Sequence, residues 1–135
     1  MRVLIADKFE KVGIDGLKEI GCEVESQPDL SADTLPGALE RIDPQILIVR
    51  STKVTAAALK SAASLSLVIR AGAGVDNIDM PTASGLGIFV ANCPGKNSIA
   101  VAELVMGLVL SADRRIPDQV AELRAGHWSK GEYSK

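Results

Sequence analysis

Short aliphatic runs separated by helix-patterned segments fill the chain up to Cys93, and they leave few folds open. The runs are Val3–Ala6, Cys22–Glu25, Ile46–Val49, Leu65–Ile69 and Ile88–Ala91. Three of them are apolar on both faces. A strand without a polar face needs cover above and below, which a parallel sheet flanked by helices supplies. Cys22–Glu25 alternates with acidic residues and is expected at a sheet edge. Between the runs, Phe9, Val12, Leu17 and Ile20 recur at helical spacing and stop at Gly21. Ser31 is placed to cap a helix carrying Leu35, Leu39 and Ile42, and Thr55 opens a third containing Leu59. Alternating strands and helices imply right-handed crossovers. The expected fold class is α/β, a flavodoxin-like doubly wound parallel sheet of about five strands in the order 2-1-3-4-5.

A chain of 135 residues, 47% of them hydrophobic, is long enough to bury a real core. Aromatic residues are only 3%, so that core is aliphatic. A net charge of −2 without a lysine or arginine run argues against nucleic-acid and membrane-surface partners. Cys22 and Cys93 match no metal spacing, and His127 is the only histidine, so no metal site is expected. With Met1 first and no apolar signal region, the expected location is cytoplasmic.

The character changes after Cys93-Pro94-Gly95. From Ile99 to Ala112 the only non-apolar positions are Glu103, Gly107 and Ser111. That stretch is too short for a bilayer, which takes about 20 residues. A helix apolar nearly all round must be buried nearly all round. It is therefore expected as a long apolar helix that begins a second domain or meets a partner chain, with self-association through residues 98–114. Pro117, the stripe Ile116, Val120 and Leu123, and Gly126 outline a further short helix.

Ligands of open α/β sheets bind outside the carboxyl ends of the strands. Leu65–Ile69 empties into Arg70-Ala71-Gly72-Ala73-Gly74-Val75-Asp76-Asn77, where Gly72 and Gly74 are expected to allow φ > 0 and a close ligand approach. The dinucleotide fingerprint is not met. Asn77 replaces its third glycine, and Ile88–Ala100 contains no acidic residue to meet a ribose. A plain turn and a cradle of backbone N–H groups for a small anion both remain open. Arg50, at the end of the third run, can fork a carboxylate or phosphate, with Ser51 donating beside it, or it is a solvated surface arginine. Asn97 or Ser98 caps the apolar helix, whose free N–H groups favour anions. His127, beside Trp128 in a polar tail, reads as solvated. A response-regulator receiver needs an acid where Arg50 stands. A flavodoxin needs a hydroxyl-rich loop where Asp7-Lys8-Phe9-Glu10 stands.

Three segments, Val49–Thr55 (V-R-S-T-K-V-T), Arg70–Asp79 (R-A-G-A-G-V-D-N-I-D) and Asn92–Leu104 (N-C-P-G-K-N-S-I-A-V-A-E-L), occur in this order. Together they resemble the D-isomer-specific 2-hydroxyacid dehydrogenases, and R-S-T-K-V-T is most similar to the branch acting on 3-phosphoglycerate, in serine biosynthesis. The resemblance implies that residues 1–93 form most of a substrate-binding domain. Residues 94–135 would be the linker and first helices of a nucleotide-binding domain. It implies Arg50, Ser51, Gly74, Asn97 and Lys130 as substrate-binding positions, Lys130 standing where the family usually has arginine. Ala73 falls near the nicotinamide end of NAD, and the apolar helix at a homodimer interface. The family's catalytic arginine, glutamate and histidine have no counterpart within these residues, so no catalytic residue is assigned. The chain then reads as the substrate-side part of a longer, NAD-dependent enzyme, inactive alone and taking a small 2-hydroxy acid. The alternative is a free-standing flavodoxin-like module that binds a small organic anion through Arg50 and the glycine loop.

Overall fold

The computed structural model describes residues 1–134. Contacts divide the chain into two compact units, residues 1–96 and residues from 97 onward. The first unit runs β1 (Arg2–Ile5), α1 (Lys11–Glu19), β2 (Glu23–Ser26), α2 (Leu35–Ile42), β3 (Ile46–Val49), α3 (Ala56–Ser61), β4 (Leu67–Arg70), α4 (Met80–Gly85) and β5 (Phe89–Ala91). The five strands form one parallel sheet in the order β2-β1-β3-β4-β5. The expected fold class and order are therefore found, with strand ends moved by one or two residues.

The register explains why the central strands carry no polar face. Val3, Val24, Ile46, Leu67 and Phe89 form one row across the sheet, and Leu4, Leu47, Val68 and Val90 form the next, on the opposite face. The second row packs against α2, α3 and α4 through Leu35, Leu39, Leu59 and Ala83. The first packs against Phe9, Ile14 and Leu17 at α1. Each large aliphatic side chain fully buried here stabilises the unit by about 1.5–3 kcal/mol relative to exposure. Cover on the α1 face fades toward β5, where Phe89 is 77% exposed. Both sheet edges are short, and β2 carries Glu23 and Glu25.

Local chemistry sets the turns. Ser31 and Thr34 exchange hydrogen bonds before α2, the Ser31 N–H donating to Thr34 Oγ1 at 2.9 Å and the Thr34 N–H to Ser31 Oγ at 3.3 Å. Thr55 and Asp79 cap α3 and α4 by accepting from the N–H groups of Ala58 and Thr82. Asp43 ends α2 in the left-handed region, at φ 46°, where a short polar side chain is tolerated. Its carboxylate accepts the Ser64 N–H at 2.8 Å and hydroxyl at 2.6 Å, tying that turn to the approach of β4.

The stripe read for α1 is corrected. Phe9 and Leu17 pack against the sheet as read, but Val12 and Ile20 are 81% and 75% exposed, and Ile14, not in the stripe, faces the sheet. The helix turns Gly13 toward Phe9, whose ring edge would lie 2.5 Å from an added Cβ. Only a glycine lets the Phe9 ring lie there.

The second unit begins with α5 (Ser98–Asp113), followed by α6 (Ile116–Arg124) and a short 3₁₀ turn at Lys130–Tyr133. Arg115 joins the two helices at φ 51°. Its guanidinium meets Asp118 at 2.9 Å and lies 4.9 Å from the centroid of the Tyr133 ring. Pro117 stands in the first turn of α6, and Gly126, at φ 82°, follows its end. Every valine, leucine, isoleucine and methionine from Ile99 to Leu110 is between 48% and 77% exposed. Among the described residues no helix is long and apolar enough to cross a membrane.

Candidate functional site

Three strand ends supply the chemistry of the first unit. β1 runs into Ala6 and Asp7, β3 into Arg50-Ser51-Thr52, and β4 into the loop Ala71–Asn77. Asp7 is buried, and its hydrogen-bond partners lie in the β3 turn. One carboxylate oxygen accepts the backbone N–H groups of Arg50 at 2.7 Å, Ser51 at 3.1 Å and Thr52 at 3.1 Å. The other accepts the Ser51 hydroxyl at 2.7 Å. Burial pushes the Asp7 carboxyl up, but these four donors outweigh it and hold it below the ordinary aspartate value. Thr52 Oγ1 then donates back to the Ala6 carbonyl at 3.0 Å.

The β3 and β4 loops are stitched to each other. The Val54 N–H donates to the Asn77 carbonyl at 2.8 Å, and Asp79 N–H to the Val54 carbonyl at 3.0 Å. Asn77 Nδ2 donates to the Thr52 carbonyl at 2.9 Å, while Asn77 Oδ1 is buried with no partner among the described residues. Arg70 Nε donates to the Arg50 carbonyl at 3.0 Å. The glycine loop is tied on its far side as well, Asn92 Nδ2 donating to the Ala73 carbonyl at 2.7 Å and the Cys93 N–H to the Gly72 carbonyl at 2.9 Å.

The structure thus gathers Arg50, Ser51, Ala73 and Gly74 at the carboxyl end of the sheet. Arg50 is exposed and makes no ion pair among the described residues. The proton of Ser51 is engaged by Asp7, so its Oγ has only lone pairs to offer. The N–H groups of Ala73 to Asn77 donate to no acceptor among the described residues. Both a run of backbone donors and an exposed guanidinium without an ion pair thus stand at the carboxyl end of the sheet, groups of the kind that bind a small anion.

Two expectations about the loop fail in their stated form. Neither Gly72 nor Gly74 has positive φ; the glycines that do are Gly21, Gly87, Gly95 and Gly126. What Gly72 allows is a close approach, because the Arg70 guanidinium folds onto the space where its Cβ would stand. At Gly74 that space lies 2.7 Å from Asp76 Oδ1. Sequence reasoning reaches Asp7 and Arg70 as strand-end residues but gives neither a role in the site. Their signal was position alone: Asp7 follows β1 and Arg70 ends β4, on the edge where the other candidates converge.

Asn97 and Lys130 belong to the second unit. Asn97 stands at the start of α5 without a capping side-chain bond, so the cap expected from Asn97 or Ser98 is not made there by Asn97. Lys130 is exposed and lines a groove of about 410 Å³ with Trp128, Tyr133, Val120 and Leu123. His127 Nδ1 lies 3.6 Å from Glu122 and is well exposed. No cluster of metal-binding side chains occurs among the described residues.

The family model for the D-isomer specific 2-hydroxyacid dehydrogenase catalytic domain matches residues 3–131. The chain belongs to this family. A D-3-phosphoglycerate dehydrogenase of Methanocaldococcus jannaschii is 43% identical to this family member over 98% of its chain and 25% of the relative. The chain thus spans about a quarter of the length of the curated relatives it matches. A solved Pyrococcus horikoshii protein is 32% identical, with TM-score 0.78 over 95% of this chain and 38% of that one. An NAD-bound 3-phosphoglycerate dehydrogenase of Entamoeba histolytica is 30% identical, with TM-score 0.68 over 82% of this chain and 38% of that one.

Proposed function

We propose that this chain is the substrate-side part of an NAD-dependent enzyme that oxidises a 2-hydroxy acid, most specifically 3-phosphoglycerate. The observation that carries the reading is that an exposed Arg50 without an ion pair and the unpartnered N–H groups of Ala73–Asn77 both stand at the carboxyl end of the sheet, in a family whose similar members include D-3-phosphoglycerate dehydrogenases. In this reading Arg50 forks one anionic group of the substrate, and the Gly74 loop receives another through backbone N–H groups. Asn97 and Lys130, which belong to the second unit, are assigned to substrate binding by the family motif alone, and Ala73 by the same motif to the nicotinamide end of NAD.

The residues of this chain do not by themselves build a dinucleotide site. The Gly72 approach is taken by Arg70, and the loop leads into a six-residue helix capped by Asp79 rather than a long phosphate-binding one. With no family histidine or nucleotide fingerprint among its residues, the 135-residue chain is inactive alone. Its exposed α5 meets a second copy of the same helix, giving a homodimer through residues 98–114.

Calorimetry of the purified chain with 3-phosphoglycerate tests the site, and absorbance at the reduced-nicotinamide band tests the inactivity. Binding that is lost in Arg50→Ala, without NAD reduction, is the expected result. Turnover that survives repurification overturns the assignment of inactivity, and binding indifferent to Arg50 overturns the site.

A further inference from the structure

The β1 carboxylate has no part in the ligand chemistry above, yet it touches every residue of the turn that carries Arg50. We propose that Asp7 is the positioning residue of this site, an internal anion that holds the Arg50–Thr52 turn in its binding shape. The inference rests on the reading of Arg50 as a ligand-binding residue.

Three consecutive backbone N–H groups, of Arg50, Ser51 and Thr52, converge on one oxygen of Asp7 at 2.7, 3.1 and 3.1 Å. Successive N–H groups aimed at one point make an anion-binding concavity, and here the anion is supplied by the chain. Ser51 closes the other oxygen, and Thr52 Oγ1 grips the Ala6 and Leu30 carbonyls at 3.0 and 3.3 Å. The backbone of Arg50 is thereby fixed from β1 while its side chain stays exposed. Fixing the turn before the ligand arrives removes part of the ordering cost of binding. Without the carboxylate, the three N–H groups lose their acceptor and the turn has reason to reorient.

The two replacements of Asp7 differ in a useful way. Asparagine can offer Oδ1 to the three N–H groups and donate Nδ2 to Ser51 Oγ, whose hydroxyl then turns. Alanine offers nothing. In the full 135-residue chain, amide hydrogen exchange followed by NMR reads the turn, and calorimetry with 3-phosphoglycerate reads the site. In Asp7→Ala, exchange at Arg50, Ser51 and Thr52 should rise at least about tenfold while Val68 and Ile69 in β4 keep their protection. Affinity should fall by roughly tenfold to a hundredfold, the range for one hydrogen bond to a charged group. Adding Arg50→Ala to Asp7→Ala should then cost far less than Arg50→Ala alone, because the two changes act on one device. Asp7→Asn should restore most of the affinity, and its three amide proton resonances must shift together because they share one oxygen.

Unchanged exchange at all three amides in Asp7→Ala, or unchanged affinity, overturns the proposal. If Asp7→Ala does not fold, resonances in Asp7→Asn that fail to move together overturn it. A wild type that does not bind 3-phosphoglycerate refutes the substrate reading instead, and the amide pattern alone then judges whether Asp7 shapes the turn.

Discussion

Asp7 holds Arg50 by its backbone N–H, at 2.7 Å, and not by its guanidinium. An aspartate close to an arginine is commonly expected to neutralise it. Here the carboxylate spends its acceptors on the main chain and on Ser51, so the arginine charge stays available. The same geometry separates two effects of substitution at neighbouring positions, since removing the Arg50 side chain leaves its N–H in place.

Arg50→Ala should therefore leave stability within about 0.5 kcal/mol of wild type, as for surface changes that remove no special contact. It should weaken 3-phosphoglycerate binding at least about tenfold, the loss of a charge-assisted pair. Denaturant melts and calorimetry on the same sample check both halves. A large loss of stability would mean the side chain is part of the fold.

Ser51→Ala should cost less binding than Arg50→Ala. Its hydroxyl proton already serves Asp7 at 2.7 Å, so the side chain has no donor left for an anion. The same calorimetric titration decides it, and an affinity loss equal to that of Arg50→Ala would show that the hydroxyl leaves Asp7 when ligand binds.

Stability should fall on the acid side. Asp7, Asp43 and Asp79 are all held below the ordinary value of 3.8, Asp7 by the β3 turn against the effect of burial, Asp43 by Ser64 and Asp79 by Thr82. A carboxyl depressed in the folded state binds protons more weakly there than in the unfolded chain. Its contribution is complete above 3.8 and is lost as pH drops through the lower folded values. Urea midpoints measured from pH 7 downward should stay level with respect to these groups and decline below about pH 4. Asp7→Asn should flatten part of that decline; an identical acid slope would deny Asp7 its share.

Self-association should run through α5. Leaving several such side chains in water forgoes roughly 1.5–3 kcal/mol each. Sedimentation of the wild type should show a dimer, and Leu108→Glu a monomer. A wild type that remains monomeric at high concentration would remove α5 as the interface.

How far the fold was legible depended on where cover comes from. The sheet order, the edge position of β2, and the buried Leu35, Leu39 and Ile42 followed from apolar periodicity, because tertiary cover acts on those residues directly. The α1 stripe was half right: Phe9 and Leu17 pack inward, but Val12 and Ile20 fit the period as well as Ile14 does, and only the sheet decides which of them turns inward. The core-facing position at Gly13 is occupied by the ring of Phe9 and gives no apolar signal at all. Of the site, Arg50, Ser51, Ala73 and Gly74 were visible because each follows a strand in a recognisable segment. The role of Asp7 was not, since the distance along the chain to Arg50 is 43 residues and only strand pairing brings them together. The expected φ at Gly72 and Gly74 failed for a related reason: the loop is shaped by Arg70 and Asn77, not by glycine freedom.

Both borders of the sheet are closed to growth. At one end β2 sets Glu23 and Glu25 along a four-residue strand, and at the other β5 is only three residues long. Short and charged borders give an incoming strand little backbone to pair with and an electrostatic reason to leave. Copies of this chain that meet at high concentration are thus steered away from the ribbon-like stacking that ends in fibres.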